Sequence, residues 1–174
     1  MAIFPATRQR QTRHFATALK IDLDLAGITD RWHPVQVDHL ELSVEHELRS
    51  NIFEATCGRF DSAVIVKFAR FPWEMPYFEA ETTAYKWIQG HDVGPDFLGH
   101  LTEEGPVIGL LVAHITPSRH ATPEGLDICS LSLSKLHQLG IKHRDINKHN
   151  FLVHNGKQPS LIVKTHLGSP AQMY

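Results

Sequence analysis

The stretch "GIKHRDINKHNFLVHNG", residues 140 to 156, decides how this chain is read. Gly140 closes a Leu-rich segment, His143-Arg144-Asp145 follows, Asn150 stands five positions after the Asp, and the apolar run from Phe151 leads to Asn155-Gly156. Asn-Gly is a strong hairpin turn. A carboxylate and an amide are thus carried on a short loop between a helix end and a strand, a place where rigid neighbours can fix polar groups for chemistry.

Upstream of the loop, Thr122 reads as a helix cap with Pro123 at the first position, and Leu126, Leu133, Leu136 and Leu139 supply an apolar stripe. Further back, "DFLGHLTEEGPVIGLLVAHI" reads as two strands joined at Glu104-Gly105-Pro106, the second, Val107 to Ile115, apolar enough to be central. Before them, "RFPWEMPYFEAETTAYKWIQG" is a helix: Pro76 suits its first turn, Glu79 and Glu81 its positive end, Phe78, Tyr85 and Ile88 its buried face, and Gly90 its end. Its aromatic lead-in, Phe71, Trp73, Tyr77 and Phe78, is expected to pack onto the sheet. Residues 35 to 69 contain three β-like runs, "VQVDHLELSV", "NIFEATC" and "SAVIVKFA", separated by "EHELRS" and "GRFD". Downstream, "FLVH" and "SLIV" form a hairpin around Asn155-Gly156.

In that order the residues resemble the protein-kinase-like superfamily, which holds protein kinases and the aminoglycoside-phosphotransferase type of small-molecule kinases. "VIVK" matches the third-strand lysine pattern, Glu81 stands on the next helix, and His-Arg-Asp to Asn matches the catalytic loop. The resemblance covers roughly residues 35 to 163 and implies an α+β fold. Its parts would be a five-stranded antiparallel N-lobe sheet with one helix, followed by a truncated, mainly helical C-lobe. The implied boundaries are a basic N-terminal tail or extension at 1–34, the N-lobe at 35–116, the start of the C-lobe at 117–163 and an atypical tail at 164–174.

The resemblance also assigns roles. Lys67, held by Glu81 rather than Glu79, would grip the phosphates of ATP; Asp145 would orient an acceptor hydroxyl and take its proton; Asn150 would bind Mg2+; Ala113 and His114 would sit at the hinge beside adenine. His143 would brace the loop. Three departures qualify this. The expected phosphate flap, "HELRSN", has no Gly, and Asn147 with Lys148 replaces the usual serine/threonine-kinase lysine spacing. Most important, no Asp or Glu follows Asp145, so Val163 or Lys164 stands where the metal-binding Asp of Asp-Phe-Gly belongs. The expected function is an ATP-dependent phosphotransferase acting on a hydroxyl-bearing substrate, impaired by that loss. The alternative is a pseudokinase that binds nucleotide or a partner without turnover, a protein partner covering the open C-lobe face.

Composition bounds the rest. The 174 residues, 42% hydrophobic and 21% charged with net charge -2, describe one folded domain and neither a disordered chain nor a nucleic-acid binder. No run long enough for a membrane span and no secretory h-region is visible, so an intracellular, cytoplasmic home is expected. The acid-poor start with Arg8, Arg10, Arg13 and Lys20 adds a faint mitochondrial character. Cys57 and Cys129 are too isolated for a disulfide framework or zinc site, and His143, His149 and His154 read as loop and strand-edge residues rather than metal ligands.

Overall fold

The computed structural model describes residues 27–116, 118–120, 122, 125–143, 150–154 and 160–161. Nine strands and two helices appear among them: β1 Gln36–Asp38, β2 Leu42–Arg49, β3 Ile52–Cys57, β4 Val64–Phe68, α1 Met75–Ile88, β5 Phe97–Thr102, β6 Val107–Ala113, β7 Ser118–His120, α2 Leu126–Gln138, β8 Phe151–His154 and β9 Ser160–Leu161. The fold is α+β. Its larger sheet has six strands in the order β1-β5-β6-β4-β3-β2, and a second sheet runs β7-β8-β9.

This corrects the expectation of a five-stranded antiparallel sheet, because β1 joins β5 in parallel. The run "VQVDHLELSV" is not one strand. Asp38 accepts the Leu40 N–H at 2.9 Å while Glu41 accepts the Asp38 N–H at 3.1 Å, a reciprocal cap that turns the chain through a short 3-10 helix. That turn carries the chain from one edge strand, β1, to the other, β2. Three residues span about 10 Å at most, so the sheet must curl until its two edges approach each other. Arg59, in the β3–β4 turn, holds the closure by donating to both Glu41 carboxylate oxygens and to the Gln36 carbonyl.

The segment "EHELRS", expected as a loop, belongs mostly to β2, and the chain reverses at Ser50 and Asn51. Asn51 supplies the turn with a φ of 65°, which Asn tolerates better than most residues. In the β5–β6 hairpin Glu104 and Gly105 take φ of 49° and 114°.

Buried Val, Leu and Phe from every central strand form the core, joined by Met75, Phe78, Ala84, Tyr85 and Ile88 of α1. β6 is flanked on both sides and buried until its last residue, as its composition requires. Gly109 lies so close to β4 that a Cβ would stand 2.1 Å from the Lys67 carbonyl oxygen. Only glycine lets β4 and β6 approach there.

Two expectations about apolar faces need correction. Of the aromatic lead-in, only Phe78 is buried; Trp73 is 67% exposed, and Phe71, with its ring stacked on Trp73 at 4.5 Å, and Tyr77 are also exposed. In α2, Leu126 is exposed, and the buried face is Cys129, Ser132 and Leu136 with Leu133 and Leu139 partly covered. Helix α2 begins at Leu126 rather than 123, and Gly140 follows it at a φ of 77°. Pro123 and Glu124 lie outside the described residues.

Candidate functional site

Strand β4 alternates. Val64, Val66 and Phe68 point to one side of the strand, and Ile65 and Lys67 to the other, where both line a cavity of about 270 Å³. Lys67 is only 3% exposed and Glu81 only 8%, and the Lys67 ammonium donates a hydrogen bond to Glu81 Oε1. A buried ammonium is tolerable because this carboxylate answers it. Tyr85, one helical turn after Glu81, lies under the same lysine, with the ammonium 6.0 Å from its ring centre. Burial, and secondarily the Glu81 charge, push the Tyr85 phenol well above its ordinary pKa, so it stays protonated.

The cavity lies between the two sheets. Leu48, Arg49 and Ile52 come from the β2–β3 hairpin, Val112 and Ala113 from the end of β6, and His120 and Leu152 from the small sheet. Apolar side chains dominate the lining, and among the described residues no carboxylate belongs to it. Its volume is just under the range usual for small-molecule pockets, about 300 to 1,000 Å³.

Helix α1 is held where Glu81 meets Lys67. The segment from Gly27 to Pro34, left in the N-terminal extension by the sequence reading, lies along it. The Glu79 carboxylate accepts the Thr29 N–H, the Thr29 hydroxyl and the Asp30 N–H at 2.7 to 2.9 Å. The Trp32 indole donates to the Thr82 carbonyl at 3.1 Å, and Asp30 accepts from Thr83 and Lys86. Ile28 is buried and its N–H donates to the Val107 carbonyl, tying the strap to β6 as well. Nearby, His100 is fully buried and its Nε2 accepts the His33 N–H. Burial, then the charge of His33, lowers its pKa to about 4.

Of the two glutamates weighed from sequence, then, Glu81 reaches Lys67 and Glu79 fastens the strap. Ala113 lines the cavity at the end of β6, but its N–H already donates to the Asp96 carbonyl at 2.8 Å. His114 also lines it, its Nδ1 3.1 Å from Glu54 Oε1. Asn150 is completely buried immediately before β8, and His143 is buried after α2. Asp145, His149, Val163 and Lys164 lie outside the described residues, as does everything before Gly27. Tyr85 is legible from sequence on the face of Glu81, but Arg49, His120 and Leu152 are not, since only the folded sheets bring them to the same cavity.

No protein-family model and no curated protein sequence matches this chain. Among the described residues, no group of three His, Cys, Asp or Glu could hold a metal ion, and no helix is long and apolar enough to cross a membrane. Both cysteines are free and buried.

Proposed function

We propose that the cavity is a nucleotide cleft and that the chain is a phosphotransferase scaffold of the protein-kinase-like type. The observation carrying this reading is the buried Lys67–Glu81 pair opening on a mostly apolar cavity that also takes in the end of β6. A buried ion pair adds little net stability over an apolar pair of the same size, so one kept at a cavity wall points to a binding role. An adenine-sized apolar group would fill the space against Ile65 and Val112, with phosphates towards Lys67. ATP would supply the γ-phosphoryl group, and by the same resemblance Asp145 would orient a hydroxyl and accept its proton.

Magnesium fits the chain poorly. The described residues offer Asn150, an amide, where a hard dication calls for carboxylates, and Ile162-Val163-Lys164 after β9 adds none. That observation favours a second reading, a pseudokinase in which the cleft binds nucleotide or a partner without turnover.

Thermal unfolding with and without ATP tests the cleft. ATP at a hundredfold excess over its Kd should stabilise the folded state by about 2.7 kcal/mol, and Lys67→Ala should remove the shift. A folded wild type whose melting temperature ignores ATP rejects the proposal. Phosphate transfer is measured separately: turnover by a nucleotide-binding wild type rejects the pseudokinase reading.

A further inference from the structure

We propose that Arg49 is an anion-binding residue of the cavity, taking the phosphate groups of the bound nucleotide in place of a glycine-rich flap. The ligand's identity rests on the nucleotide-cleft reading; the anion site itself rests on strand register and on the pairing of the neighbouring charges.

A glycine flap works by bringing backbone amides onto phosphate, and the β2–β3 turn is poorly suited to that. It has no glycine, and it is pinned: Asn51 donates from Nδ2 to Glu74 Oε1 at 2.7 Å, while its carbonyl accepts the Phe68 N–H. Glu74 is itself fixed by the Arg70 and Phe71 N–H groups. A tethered turn cannot fold over a ligand, so any contact from this hairpin must come from a side chain.

Arg49 is the side chain in place. Register pairs Arg49 with Ile52 and Ile52 with Lys67, and residues paired directly across antiparallel strands share a sheet face. The two cations therefore stand in one row, about 10 Å apart at the backbone, and both line the cavity. A bulge between Glu47 and Arg49 lets Leu48 line it as well.

The ion pairs isolate the same residue. Among the described residues, Arg59, Lys67, Arg70 and Lys86, the other basic side chains of the large sheet, its connections and α1, each hold a carboxylate. Arg49 holds none among the described residues, although it is half-buried. Among the described residues the cavity thus combines two cations, two histidines, an apolar lining and no carboxylate, a surface complementary to an anion with an apolar body. The guanidinium fork suits two phosphate oxygens at once.

The experiment measures binding of ATP, adenosine and tripolyphosphate to full-length wild type, Arg49→Gln, Arg49→Lys and Lys67→Ala by calorimetry. Arg49→Gln should weaken ATP and tripolyphosphate by roughly tenfold or more and leave adenosine unchanged, with Arg49→Lys in between. A half-exposed hairpin residue should leave the melting temperature within about 2 °C, and Arg49→Lys repeats the test should Arg49→Gln fold poorly. ATP binding that Lys67→Ala abolishes but Arg49→Gln does not alter overturns the assignment of Arg49 and leaves the cleft standing. Tripolyphosphate binding that needs Arg49, with no adenosine affinity, upholds the anion site and rejects the nucleotide. A wild type that binds none of the three ligands overturns both.

Discussion

Truncating Glu81 to Ala is the most direct perturbation of the site. It leaves the Lys67 ammonium, 3% exposed, without its carboxylate. Breaking a buried pair from one side costs about 3 to 5 kcal/mol, because the surviving charge is desolvated without compensation. Lys67 borders the cavity, which can admit water, so the lower end applies: about 3 kcal/mol, or a fall in melting temperature of roughly 6 to 12 °C for a chain of this size. Lys67→Met should cost a similar amount. The double variant Lys67→Met, Glu81→Leu removes both charges and fills similar volume, so it should fall within about 1 kcal/mol of wild type. Urea unfolding of all four proteins gives the coupling energy directly, and it should exceed about 3 kcal/mol in favour of the double variant. The reasoning is refuted if each single variant costs under about 1 kcal/mol, or if the double variant costs the sum of the two.

Glu79→Ala removes the acceptor of three hydrogen bonds from the strap. Two of the three are exposed, so the loss should be about 1 to 2 kcal/mol, and amide exchange at Thr29 and Asp30 should accelerate. His100 gives a pH dependence: its folded pKa of about 4 lies below the ordinary 6.5, so the unfolded chain binds more protons between those values. Its contribution is complete above about pH 6.5 and is lost as pH falls through about 4, on the order of 3 kcal/mol, and His100→Gln should flatten that part of the stability profile. Gly109→Ala should cost at least about 3 kcal/mol or prevent soluble expression, because the clash is with backbone that β4 pairing holds in place; a well-folded alanine variant would show that β4 and β6 can separate.

Much of this was legible because it is local. Pro76, the apolar spacing of Phe78, Tyr85 and Ile88, and Gly90 define α1, and the unbroken apolar run from Val107 marks a strand flanked on both sides. Even the choice of Glu81 over Glu79 followed from helical spacing, since Glu81 shares a face with Tyr85 and Ile88. Period-2 alternation failed where two strands abut. The apolar positions of "VQVDHLELSV" slip phase at Asp38, from Val35 and Val37 to Leu40, Leu42 and Val44, but nothing in them shows that the first strand pairs with β5 and the second with β3. The aromatic lead-in misled for a related reason: an aromatic side chain favours burial, but the core had already been closed by Phe78 and Met75, leaving Trp73 outside.

By itself, then, the sequence determined α1, the apolar strand β6, the lysine in the apolar strand β4 and the glutamate on the following helix, because helix and strand periodicity and capping act over a few residues. Only the tertiary structure decided that Glu79 fastens a strap from Gly27 to Pro34 along α1, and that Arg49, His120 and Leu152 face one cavity with Lys67. Those pairings depend on sheet register and on the curl that brings distant strands together, and both are set by long-range burial that no short window of sequence contains.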